Sequence, residues 1–171
     1  MIPEPAFLAA VLLGVFAVLS FVDGVVLHLV VERLPLREAS WLEHRLHTVR
    51  ALIFPILLAT FIRGAGPVAI GWALLAIDQG VEFWDMAIER RSRAHSGGLP
   101  SLEYLVHGTL TTLRAATVVL VAMIDRSVAD TSALDTLVAL MMPGAVLVAI
   151  AHVVLASAPG RSLLARAGRA A

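Results

Sequence analysis

Hydrophobic residues dominate five long stretches of the chain, and polar residues are concentrated between them. An α-helix rises about 1.5 Å per residue, so about 20 helical residues cross a hydrocarbon core of about 30 Å. The pattern therefore predicts an all-α fold, a polytopic membrane helix bundle in one integral-membrane domain of residues 1–171. The five predicted transmembrane helices cover approximately residues 6–31, 42–63, 67–88, 102–124 and 134–157.

Proline and glycine separate these stretches. Breaks fall at Leu34-Pro35, Gly64–Pro67, Ser96–Pro100 and Ala158–Gly160. Both residue types interrupt helices, so each break predicts a short loop rather than a further domain.

The third stretch carries Asp78, Glu82 and Asp85 within an otherwise apolar sequence. Offsets of four and seven residues place three side chains on one face of a helix. An ionised carboxylate is costly inside a bilayer, so such groups face the bundle interior and are paired or bound to a metal ion. This face predicts cationic partners on the neighbouring helices.

Composition supports a membrane location and excludes several kinds of site. Hydrophobic residues make up 59% of the chain, and the mean hydropathy is +0.88. With no cysteine, the chain has no disulfide, thiolate metal site or cysteine nucleophile. All 13 basic residues are arginine and the formal net charge is zero. Nothing in this balance indicates nucleic-acid binding.

The distribution of arginine predicts the orientation. Arginines are more frequent in the first and third loop regions and after the fifth stretch than on the other side, where the loops hold Arg63 and Arg126. The positive-inside rule then predicts a multi-pass protein of the inner (plasma) membrane with the N-terminus outside and the C-terminus cytoplasmic. Polar residues at the span ends are expected to meet lipid headgroups: Glu32, Arg33, Arg37, Glu38, Arg90, Arg91, Arg93 and His95.

This topology places five of the six histidines at one level, together with several carboxylates. Glu43 and His47 are four residues apart at the start of the second stretch, and Glu103 and His107 repeat that spacing in the fourth. Inward-facing Glu and His on the helices of a four-helix bundle can hold two metal ions. The predicted ligands are Asp23, His28, Glu43, His44, His47, Glu82, Asp85, Glu103 and His107.

Oxygen and imidazole ligands without thiolates suit two divalent cations, with iron favoured and zinc or manganese as alternatives. Asp23 and His44 of this set, and Asp78 in addition, are expected either to bind metal directly or to orient a histidine. Asp23 and His28 are five residues apart, about 140° on an ideal α-helix. Both can face one site only if the first helix contains a π-helical turn.

The segment Phe21-Val22-Asp23-Gly24-Val25-Val26-Leu27-His28 resembles the first-helix motif, F-x-D-G-x-x-L-H, of a family of uncharacterised bacterial integral-membrane proteins. The resemblance implies a membrane location and supplies no activity. In that family a histidine pair follows the motif, whereas His44 and His47 are not adjacent here.

Four functions are compatible with this pattern. A diiron oxidoreductase would act on a lipid-soluble substrate or quinol near the cytoplasmic leaflet, with Tyr104 as a redox partner or a packing residue. A zinc-dependent lipid hydrolase would use Glu43 or Asp78 as general base. A transporter or sensor for divalent metal or protons and a haem protein are further alternatives, as is a metal-free network of carboxylates, arginines and histidines. Self-association is left open.

Overall fold

The structure, a computed structural model, describes residues 4–94 and 97–170, and the side chains of all of these except 167–170. His95, for which the sequence predicts a headgroup position, lies outside the described residues. Every regular element in the described ranges is helical, which confirms the all-α prediction.

Six α-helices follow one another along the described part of the chain. They are α1 (Pro5–Phe21), α2 (Trp41–Leu57), α3 (Val68–Ser92), α4 (Ser101–Ala122), α5 (Ser132–Ala156) and α6 (Ala158–Ala170). Helix α1 continues as a π-helix over Val22–Val31, and α2 continues as a π-helix over Leu58–Ile62. Two 3₁₀ turns, Leu34–Leu36 and Glu38–Ser40, lie between the first π-helix and α2.

Four helical segments of the described chain are long and apolar enough to cross a membrane: Pro5–Leu36, Glu38–Ile62, Ser101–Ala122 and Ser132–Ala156. They match four of the five predicted spans. The fifth, predicted over 67–88, forms the 25-residue helix α3 but is not apolar enough to be counted with them. The reason is the acidic side chains of this helix, so its crossing of the membrane stays a prediction.

The helix ends follow the predicted breaks at Leu34-Pro35, Gly64–Pro67 and Pro100, but the break predicted at Ala158–Gly160 is wrong, because these residues form the first turn of α6, where proline is tolerated. Pro5 lies in the first turn of α1, and Pro67 and Pro100 directly precede α3 and α4, where a missing N–H costs nothing. Gly64, Gly66, Gly97 and Gly98 have positive φ in the loops before these two helices. Ser157 is extended and separates α5 from α6. Helix α6 is new, because the sequence predicted only a basic tail there.

The predicted π-helical turn is confirmed. The π-helix Val22–Val31 contains both Asp23 and His28 and buries both. At its end the Glu32 N–H donates to the Leu27 carbonyl at 2.7 Å, five residues back. About 4.4 residues form each π-helical turn, so residues five apart share a face.

The bundle has an apolar end and a polar end. Helix α1 packs against α4 and α5, and α2 packs against α3 and α5. The apolar core lies where α1 and α5 begin and α2 and α4 end, around Leu13, Leu58 and Leu134. Buried charged residues gather at the opposite end, while large apolar side chains such as Leu140, 74% exposed, cover the outside. This distribution is the reverse of a soluble domain and suits a protein surrounded by lipid.

Candidate metal centre

Eight ionisable side chains from four helical segments meet at the polar end of the bundle. The π-helix after α1 supplies two of them, and α2, α3 and α4 each supply two more. We refer to them as the His–carboxylate cluster: Asp23, His28, Glu43, His47, Asp85, Glu89, Glu103 and His107. All but Glu89 are among the residues predicted from the sequence to bind metal.

One half of the cluster is built around His107 on α4. Its Nε2 atom lies 3.1 Å from Asp23 Oδ1, and its Nδ1 atom lies 2.5 Å from Glu89 Oε1. Asp23 Oδ1 is also 3.7 Å from His28 Nε2. Both ring nitrogens of His107 therefore face carboxylates, an arrangement that holds the ring firmly.

The other half is built around His47 on α2. Its Nε2 atom lies 3.2 Å from Asp85 Oδ2 and 3.9 Å from Glu43 Oε1, and its ring lies against that of His28 with the centroids 4.6 Å apart. Four buried atoms here make no hydrogen bond within the described part of the chain: His28 Nδ1, Glu43 Oε1, His47 Nε2 and Asp85 Oδ1. Buried polar atoms normally have partners, so these four indicate a ligand.

Three groups within the cluster bring their ligand atoms within 4.8 Å of one another, close enough to hold a metal ion. The groups are Asp23–His28–His107, His28–Glu43–His47 and Glu89–Glu103–His107. His28 belongs to two of them and His107 to two. The cluster therefore offers overlapping sites with nitrogen and oxygen ligands only.

Arg93, directly after α3, is the cation of the cluster. It is 0% exposed and donates from Nη1 to Glu43 Oε2 at 2.7 Å, from Nε to Glu103 Oε2 at 3.2 Å, and from Nη2 to Glu103 Oε1. Burial alone would lower the pKa of Arg93, but the hydrogen bonds and charges of Glu103 and Glu43 outweigh it and raise the pKa. The prediction that Arg93 meets lipid headgroups is wrong, because its side chain turns back into the bundle to pair with these carboxylates.

A second polar layer lies next to the cluster, toward the apolar end. We refer to it as the arginine–acid layer: Arg50, Asp78, Gln79, Glu82, Thr111 and Arg114. Arg114 pairs with Asp78, Glu82 and Gln79, and Arg50 lies 3.4 Å from Asp78 and 3.8 Å from Glu82. The Thr111 hydroxyl donates to Glu82 at 2.9 Å. The structure thus places Glu82 and Asp78 with arginines and not with the histidines.

Two other predicted site residues lie away from the cluster. His44 stacks on His152 with ring centroids 5.2 Å apart and an interplanar angle of 18°. Tyr104 is 69% exposed on α4, so its ring is directed away from the metal groups.

A cavity of about 220 Å³ joins the two polar layers to the apolar end. Asp23, His47, Asp85 and His107 line one part of it, and Arg50 and Arg114 line its middle. Apolar side chains line the rest, among them Leu13, Phe16, Phe54, Phe61 and Leu75. A small molecule with a polar end and an apolar body would match this lining.

The sequence did not predict Glu89 as a member of the cluster or Arg93 as the cation that pairs with it. Glu89 was within reach, because residues 78, 82, 85 and 89 continue one helical face at offsets of four, seven and eleven. No comparable pattern identified Arg93. It is one of three arginines close together in the sequence, and the other two, Arg90 and Arg91, are exposed. Comparisons of the chain with family models, curated proteins and solved structures find no match, so a function has to be argued from the geometry above.

Proposed function

We propose that the protein is an integral-membrane metal-binding protein whose His–carboxylate cluster holds two divalent cations. The observation that carries the proposal is the buried negative charge of the cluster. Among the described residues, the five carboxylates of the cluster share one guanidinium, that of Arg93, which pairs with Glu43 and Glu103. With neutral imidazoles, which metal binding requires, and ionised carboxylates, four negative charges remain. One divalent cation is too little to balance this charge.

The arginine–acid layer supports this argument by contrast. There Asp78 and Glu82 face Arg50 and Arg114, so two negative charges meet two positive ones. Buried charges are stable only when they are paired. The same helix, α3, thus supplies a balanced layer and an unbalanced one, and only the unbalanced one contains histidines.

The chemistry of the ligands favours iron, with zinc or manganese as alternatives. Imidazole nitrogens and carboxylate oxygens are available, and the sequence has no thiolate. Two irons held by these residues would supply O₂-linked redox chemistry. We therefore propose a diiron oxidoreductase that acts on a lipid-soluble substrate such as a quinol. The mixed lining of the cavity supports this choice, because it brings an apolar surface up to His47, Asp85 and His107.

The chain's own residues have separable roles in this proposal. His28, His47, Glu43 and Asp85 would bind one cation, and Asp23, His107 and Glu89 the other. Arg50 and Arg114 line the cavity between its apolar part and the cluster and carry hydrogen-bond donors toward a substrate oxygen. Asp85 Oδ1 is buried without a hydrogen bond in the described chain and is suited to accept a proton, whereas Glu43 Oε1 is the oxygen that Arg93 leaves free to bind the cation.

The arrangement in the membrane completes the proposal. We propose five spans, with α3 as the third, the N-terminus outside and the cluster near the cytoplasmic leaflet. The polar faces of α3 point into the bundle at Asp78, Glu82 and Asp85, all buried. A helix with this distribution can cross lipid although its composition is not apolar enough by itself.

Metal analysis of the protein purified in mild detergent tests the proposal. We expect close to two equivalents of iron and an oxo-bridge absorption band. His47→Ala is expected to lose at least one equivalent of metal, because His47 provides a ligand atom of the group His28–Glu43–His47. Glu82→Gln is the matched control: it removes a carboxylate from the adjacent layer and is expected to keep the metal. A folded wild-type protein without metal would overturn the proposal.

A zinc-dependent lipid hydrolase is the second candidate. The unpaired oxygens of Glu43 and Asp85 beside His47 favour it, because a free carboxylate next to a metal-bound water is a suitable general base. Two equivalents of zinc without iron, in protein from cells grown with both metals, would replace the oxidoreductase by this candidate.

A further inference from the structure

Glu103 differs from the other carboxylates of the cluster because both its oxygens are engaged by Arg93. The guanidinium donates from Nε to Oε2 at 3.2 Å and from Nη2 to Oε1. This two-point pairing matches the planar geometry of both groups and keeps the carboxylate ionised. Glu43 is held at one oxygen only, so its Oε1 atom stays directed toward His47.

The pairing fixes the hydrogen position on His28. Glu103 Oε1 lies 3.2 Å from His28 Nε2. An ionised carboxylate only accepts hydrogen bonds, so the ring nitrogen that faces it carries the proton. In a neutral imidazole the other nitrogen, Nδ1, then has a free lone pair. That atom is buried and makes no hydrogen bond within the residues that the structure describes.

We propose that Arg93 and Glu103 are positioning residues, which hold His28 as the Nε2–H tautomer so that its Nδ1 atom binds a divalent cation together with Glu43 and His47. One ring nitrogen of each histidine and one carboxylate oxygen of Glu43 come within 4.8 Å of one another, and Nδ1 is the His28 nitrogen that Glu103 leaves free. A metal-binding histidine commonly donates its second ring N–H to a carboxylate, which orients the ring and increases its basicity. The inference rests on the proposed metal centre and removes Glu103 from its ligands.

Equilibrium dialysis of the full chain in detergent against Zn²⁺ tests the roles of the two residues. Glu103→Gln is expected to weaken zinc binding by about 10–100-fold while the number of bound ions stays the same, the usual result of losing an outer partner. Arg93→Gln should have an effect in the same direction, and Arg93→Lys should restore part of the affinity. Arg91→Gln, which changes an exposed arginine two residues away, is the control and should leave binding unchanged.

Two further measurements separate positioning from a merely structural role. The double variant Arg93→Gln, Glu103→Gln is expected to bind zinc no more weakly than Glu103→Gln alone, because both residues act through His28. In the zinc-loaded protein, ¹⁵N NMR of labelled histidine should show His28 bound through Nδ1 and protonated at Nε2, with His28→Gln used to identify its signals. This second measurement does not depend on the Arg93 variants being folded.

The outcomes also separate this inference from the proposed function. A wild-type chain that binds no zinc or iron overturns both. A wild-type chain that binds metal overturns only the inference if Glu103→Gln loses one zinc equivalent, if its affinity is unchanged, or if His28 binds zinc through Nε2.

Discussion

The partner of each acidic residue, more than its position on the helix, decides its chemistry in this protein. Asp78, Glu82, Asp85 and Glu89 lie along one face of α3. The first two pair with Arg50 and Arg114, whereas Asp85 lies against His47 and Glu89 against His107. Carboxylates on one face of α3 therefore belong to two sites, one with balanced charge and one with excess negative charge.

A substitution at Arg114 is expected to affect folding and not metal binding. Arg114→Gln leaves Asp78 and Glu82 with Arg50 as their only arginine among the described residues, and removing one partner of a buried ion pair typically costs about 3–5 kcal/mol. Thermal unfolding in detergent should show this loss, while the folded fraction keeps its metal. Arg63→Gln, at an exposed position, serves as the control. Loss of metal from folded Arg114→Gln would contradict the separation of the two layers.

At this scale the sequence predicts the membership of the cluster better than its internal order. Spacing and topology brought His28, Glu43, His47, Asp85, Glu103 and His107 to one level. They could not show that Glu82 forms an ion pair with Arg114, or that His44 stacks on His152. These contacts depend on how the helices are rotated about their axes relative to one another. The buried position of Arg93 depends on a long side chain after a helix end, where periodicity no longer applies.

Among the elements, the π-helix after α1 determines whether the cluster can form at all. It brings Asp23 and His28 to one face, which an α-helix with the same spacing would not. The need for a π-helical turn could be predicted from the spacing of Asp23 and His28 alone. The same segment carries the resemblance to the bacterial membrane family, which stays a prediction.

Changes of length in this element should have opposite results. Deletion of Val26 leaves Asp23 and His28 four residues apart, about 40° from alignment on a regular α-helix, so zinc binding is expected to survive. Insertion of one alanine after Val25 places them six apart, about 240° around an α-helix, and should abolish zinc binding. Zinc content and helical circular dichroism would be measured on both variants. Equal zinc content in the two would show that the π-helix is not required.

The helices themselves were largely predictable, since long apolar runs with proline and glycine breaks leave few alternatives. The exceptions have physical reasons. Helix α6 carries arginines among small residues and lacks a long apolar run, so it gave no span signal. Helix α3 extends to Ser92, beyond the predicted end at residue 88. The prediction stopped there because residues 89–92 are polar and do not continue the apolar run.

For the whole molecule, the number of spans decides where the loops lie. The chain has no cysteine, so single cysteines can be introduced and labelled in intact cells with a membrane-impermeant maleimide. Five spans with the N-terminus outside predict that Ser127→Cys is labelled and Leu99→Cys is not. If α3 does not cross, the two results are exchanged. Ala65→Cys lies outside in both arrangements and controls for expression.

The balanced layer of Arg50, Asp78, Glu82 and Arg114 has a consequence for traffic through the bundle. A cation that left the histidines toward the apolar end would first meet the guanidinium groups of Arg50 and Arg114, whose positive charge already balances Asp78 and Glu82. It would then meet the leucine and phenylalanine side chains that line the rest of the cavity. Both barriers oppose its passage. We therefore expect a cation bound in the cluster to enter and leave at the polar end, while the apolar part of the cavity suits uncharged molecules.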